Sequence, residues 1–182
     1  MKYVLVILLA LFPSVVGAYS FINPGEFRSS SLVIYYNPEG APAGVTPEQV
    51  AEGVWTWNTA QAGIRAVYGG ITDLPPSKHL GFDDQVNVIG WGGTSLGSAN
   101  YSGLECDIAL GATPYDWTYY SVARVVAHEV GHCLGMGHSE VFGAIMWASV
   151  GAESDVTLSE DDVAGLRSAY PPYQYRTRVG FP

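Results

Sequence analysis

The chain has 182 residues, 48% apolar and 14% charged, which is enough apolar side chain for a packed core and too little charge for a disordered segment. Eight Lys and Arg stand against 17 Asp and Glu, a formal charge of −9. No basic cluster, repeat, heptad or low-complexity tract occurs, which argues against nucleic acid or anionic membrane as partners and fits one ordinary domain.

Residues 1–18 read as a secretory signal peptide. Lys2 supplies the charged start, Val4–Phe12 the apolar centre and Val16-Gly17-Ala18 a small-residue cleavage site. The apolar run is short for a transmembrane helix, and an uncleaved anchor is the alternative. Export frames the cysteines: with two in the chain, Cys106–Cys133 is the one pairing available. Such a bridge adds about 3 to 4 kcal/mol by loop entropy, the alternative being two small buried thiols.

Ser31–Tyr36 is β-branched and aromatic and ends at Asn37-Pro38, so a strand is expected. Thr46-Pro47-Glu48-Gln49 opens a helix, with Thr46 as N-cap, proline at the first position and Gln49 closing a capping box. Val50, Val54 and Trp57 then recur at helical spacing as core residues. Ile64–Tyr68 reads as a second strand, and residues 69–84 as a loop carrying His79 on the surface. Gln85–Trp91 is the third strand, turned by Gly92-Gly93 into Thr94–Ala99, and Leu104–Leu110 the last. Asn100-Tyr101-Ser102 matches a glycosylation sequon, relevant only in a host that glycosylates. Thr118 or Ser121 caps the next helix, whose Val122, Val125 and Val126 pack inward. Ser159 caps the final helix, with Glu160, Asp161 and Asp162 in its first turn, and Pro171-Pro172 ends it.

The chemistry concentrates in residues 127–139. On a helix, His128 and His132 stand one turn apart, so both imidazoles can reach one metal ion. Gly135 allows a sharp turn that brings His138 back as a third ligand. Three imidazoles suit catalytic zinc, which keeps its fourth position for water, and Glu129 beside the first ligand can serve as general base on that water. These are three of only four histidines in the chain.

The pattern His-Glu-x-x-His-x-x-Gly-x-x-His resembles the signature of the metzincin metalloproteases, and Ser139 after the third histidine resembles the matrixins, the matrix-metalloproteinase family. Gly143-Ala144-Ile145-Met146 is similar to that family's Met-turn, with Trp147-Ala148 standing where the family usually has Tyr-Pro. The resemblance implies an α+β metzincin fold, a twisted, mostly parallel five-stranded sheet with three helices, and the activity of a secreted zinc endopeptidase. It places a peptide substrate along the Ser95–Ala99 edge, for which a plain loop is the alternative. It divides the chain into a signal peptide (1–18), an N-terminal strap (19–30), a catalytic domain (31–170) and a tail (171–182), working as a monomer with no membrane contact in the mature form.

Where vertebrate members hold a second zinc with histidines, this chain has Ser98 on the rim and no histidine in either flanking strand, so one zinc is expected. Calcium is possible at Asp83, Asp84 or Asp107, with solvated surface charge the reading preferred. No globular prodomain or Cys-switch motif precedes Tyr19, so signal cleavage itself is expected to yield the working enzyme. By resemblance the new Tyr19 ammonium would pair with Asp161 or Asp162, with Asp162 chosen; helix capping alone explains the same acids. Readings of other classes are a secreted peptide-binding module with structural zinc, against which Glu129 speaks, and a toxin or virulence-type factor using proteolysis.

Overall fold

The structure is a computed structural model that describes residues 19–21, 30–75, 85–102, 105–149, 151 and 153–172. The expected signal peptide, His79, Asp83 and Asp84 lie outside the described residues. In chain order the elements are β1 (Tyr19–Phe21), β2 (Ser31–Tyr36), α1 (Pro47–Thr56), β3 (Arg65–Ile71), β4 (Asn87–Trp91), β5 (Gly97–Ser102), β6 (Glu105–Leu110), α2 (Val122–Cys133), β7 (Met136–Ser139) and α3 (Glu160–Ala169). Five strands form one sheet in the order β3-β2-β4-β6-β5, while β1 and β7 pair separately. Every neighbour in the large sheet is parallel except β5, which runs antiparallel to β6 at the edge. This is the mostly parallel sheet with three helices expected of a metzincin.

Local chemistry accounts for the elements. Thr46 Oγ1 accepts from Gln49 N and Gln49 Oε1 accepts from Thr46 N, so α1 starts on a complete capping box. Val50, Val54 and Trp57 of that segment are buried, as are Val126 and Val130 of α2. Trp57 Nε1 donates to Ala127 O at 2.7 Å inside the core, which joins α1 to the helix of the histidines. Cys106 and Cys133 are disulfide-bonded, with their Cα atoms 5.5 Å apart, so β6 is also tied to that helix.

Three expectations need correction. β3 continues through Gly69 and Gly70 to Ile71 instead of giving way to a loop at Gly69. A Cβ on Gly69 would lie 2.7 Å from the Tyr35 ring, so glycine here admits a ring across the strand and does not mark a turn. β5 starts at Gly97 and runs to Ser102, three residues later than Thr94. Asp107 is not solvated: it is 2% exposed, and Oδ1 accepts from Val88 N at 2.7 Å. Alternation places it on the face opposite Cys106 and Ile108, where it serves the adjoining end of β4.

Candidate metal centre

Ser121, not Thr118, caps α2, its hydroxyl accepting from Arg124 N at 3.3 Å. One turn into the helix Val125 faces an open cleft, followed on the same side by His128, Glu129 and His132. The helix stops at Leu134; Gly135, with φ of +85°, reverses the chain and donates to His132 O at 2.7 Å. A side chain with a Cβ is strained in that conformation, which is why the turn needs glycine. β7 then carries His138 back under the helix. The ligand-capable atoms of His128, His132 and His138 all lie within 4.8 Å of one another.

Two backbone carbonyls set the tautomers. His128 Nδ1 lies 2.7 Å from Ile145 O and His132 Nδ1 lies 2.8 Å from Met136 O. A carbonyl oxygen only accepts, so each Nδ1 carries the hydrogen and each Nε2 presents a lone pair. Burial, with His132 and His138 close by, pushes His128 down to about 4, and burial also lowers His132, so both rings stay neutral as a metal ligand must be. The nitrogen donor set, its tautomers and its spacing fit one zinc ion.

Glu129 is 6% exposed and burial pushes its carboxyl up to about 7, opposed by a hydrogen bond from the backbone of Ala99. A cation on the three imidazoles would pull it back down. Its carboxylate stands beside Gly97 of the edge strand, so helix and strand meet at this residue. The cleft they enclose holds about 530 Å³ and is bounded by Ser95–Ala99, α2, His138 and Ala148.

The turn at residues 143–146 backs His128 through the Ile145 carbonyl and in that sense is the floor of the metal centre. Met146 is fully buried with its sulfur against Gly131 of α2, and its carbonyl accepts from Ser139 N at 2.8 Å. Two contributors escaped sequence reasoning. Arg124 is buried on α2, one turn before His128, and donates to the carbonyls of Gly143, Ala144 and Asp155, binding the floor to the segment that follows it. A single charge inside the apolar run Val122–Val126 was the available signal. Asp162 is 1% exposed and accepts from Ile145 N, Met146 N, Ser159 N and Ser159 Oγ. Those four donors occupy the carboxylate chosen above for the Tyr19 ammonium, so its role is to cap α3 and hold the floor. Neighbouring Asp161 accepts from Ser139 Oγ at 2.6 Å.

An edge strand beside a three-histidine centre with a buried glutamate alongside has the donor set and the neighbouring carboxylate of a catalytic zinc site. The chain belongs to the matrixin family, whose model covers residues 51–171, more than half of the chain. It is similar to interstitial collagenase of Bos taurus, 46% identical over 59 residues, 32% of this chain and 13% of that protein. It is also similar to metalloendoproteinase 1 of Glycine max, 40% identical over 52 residues, 28% of this chain and 17% of that protein. Matrix metalloproteinase-9 of Canis lupus familiaris matches at 37% over 83 residues, 46% of this chain and 12% of that protein. The matches therefore span less than a fifth of each relative's length. Matrixins use a catalytic zinc, and the centre described here has the residues for it.

Proposed function

We propose that this chain is a secreted zinc endopeptidase that hydrolyses peptide bonds in a substrate extended along the Ser95–Ala99 edge. The observation that carries the reading is Glu129, a buried carboxylate set between the edge strand and the three imidazoles, where a purely structural metal site has no use for a base. His128, His132 and His138 hold the zinc, which when bound supplies Lewis acidity toward a carbonyl and acidifies water. The edge strand offers main-chain hydrogen bonds that lay the substrate across the cleft. Glu129 takes one proton from the attacking water as oxygen bonds to the carbonyl carbon. It then passes that proton to the amide nitrogen as the C–N bond breaks, giving a carboxylic acid and an amine. The carbonyls of Ile145 and Met136 keep the first two ligand rings from turning during this cycle.

Residues 1–18 direct export in this reading, 19–30 form a strap, 31–170 the catalytic unit and 171–182 a tail, and the protein works as a monomer. The Cys106–Cys133 bridge fits an oxidising compartment. Among the described residues no helix is long and apolar enough to cross a membrane. The test is to profile cleavage of a peptide library and of casein by protein beginning at Tyr19, with and without chelator. Zinc-loaded, folded protein that cuts neither would refute the proposal.

A further inference from the structure

At the Thr94 end of the cleft three tyrosine rings form a ledge. Tyr115 donates its hydroxyl to Thr94 O at 3.3 Å. The Tyr120 ring lies 6.4 Å from Tyr115 at 74°, and the Tyr119 ring lies 4.9 Å from Tyr120 at 89°. Tyr115 and Tyr120 are half-buried, which fixes them, while Tyr119 is 56% exposed. Both walls of the cleft lead here. Thr94 directly precedes Ser95, the first residue of the rim, and Tyr120 directly precedes Ser121, the cap of α2, one turn before Val125 of the opposite wall.

We propose that this ledge is a subsite of the cleft that takes an aromatic substrate side chain two or three residues to the C-terminal side of the scissile bond. The inference rests on the endopeptidase reading. Glu129 stands beside Gly97 and is hydrogen-bonded by the backbone of Ala99, so the reacting bond is level with that part of β5. Thr94 is three residues away along a bent segment, so it lies at most about 11 Å off, the reach of three extended residues. A peptide added antiparallel to β5, the more stable pairing, carries its C-terminal half toward Thr94 and sets its second or third residue beside the rings. The ledge already consists of edge-to-face ring pairs, and an incoming ring continues that packing with only two side-chain torsions to immobilise. The neighbouring carboxylate, Asp116, is engaged by Thr118 N at 2.9 Å and Thr118 Oγ1 at 2.6 Å, and its charge disfavours an acidic side chain here.

The experiment compares two peptides that differ only in carrying Phe or Ala at the second and third residues after the cleaved bond. Wild-type protein is expected to favour the Phe peptide by about three- to tenfold in kcat/KM, the scale of one ring–ring contact. In Tyr119→Ala that ratio falls to near one, while Tyr119→Phe keeps it. Because Tyr119 is mostly exposed, thermal unfolding should be alike in all three proteins. Cleavage with no preference in wild type, or a preference that survives in both Tyr119→Ala and Tyr115→Ala, overturns the ledge alone. Failure of zinc-loaded wild type to cut either peptide, or casein, overturns the endopeptidase reading and the ledge with it.

Discussion

Replacing Asp162 by Ala tests whether the floor of the metal centre is held from α3. The carboxylate accepts from Ile145 N at 2.9 Å and Met146 N at 3.1 Å, and both bonds are buried. Their removal strands two backbone donors, at about 1 to 3 kcal/mol each, and the lost bond from Ser159 N weakens the cap. Ser159 Oγ can still cap Asp162 N, so the expected sum is about 3 to 5 kcal/mol, or about 10 °C in Tm for a domain of this size. The metal should feel it too. The residue whose N–H is released, Ile145, is the one whose carbonyl orients His128, and loss of such outer support costs about 10- to 100-fold in metal affinity. Unfolding is measured on metal-free protein, because bound zinc adds its own stabilisation, and affinity by competition with a chromogenic chelator. An Asp162→Ala protein that unfolds within about 1 kcal/mol of wild type and binds zinc equally well would refute the argument.

Glu129→Gln keeps the size of the side chain and should retain zinc while losing at least about a hundredfold in kcat, read from peptide turnover alongside metal content. Metal analysis of the mature protein should return one zinc per chain, lost on His138→Ala; two tightly held zinc ions would contradict a single centre. Replacing both cysteines by Ser opens a bridge spanning 27 residues and should lower stability by about 3 to 4 kcal/mol in a denaturant titration, with the m-value rising as the unfolded chain expands.

What the sequence made legible was whatever a side-chain type announces by itself. Ser31–Tyr36 is a strand to the residue, because β-branched and aromatic side chains there meet a clear stop at Asn37-Pro38. The capping box at Thr46 sets the start of α1, since the motif is the hydrogen-bond pattern written in residues. The metal centre was legible for the same reason: imidazoles at one helical turn, then a glycine that must turn the chain, leave little freedom for the third ligand. Gly69 misled because a glycine that punctuates a chain and a glycine that admits a neighbouring ring look alike until Tyr35 is placed. Asp107 misled because an isolated acid in an acidic chain reads as surface, and only strand order shows that it answers the end of β4.

The harder part to read was what holds the ligands still. His128 and His132 are both oriented by carbonyl oxygens, and every residue has a carbonyl, so no residue type marks Ile145 or Met136 for the task. The burden passes to whatever fixes those peptides. For Ile145 that is Asp162 on its amide side and the Arg124 guanidinium on the carbonyls of the two preceding residues. One of these charges sits on the ligand helix itself and the other on the last helix, so the floor is gripped from two elements remote in sequence. An aspartate in a first helical turn is sufficiently explained by capping when only the sequence is known. Asp162 performs that capping and, with the same two oxygens, holds the floor of the metal centre.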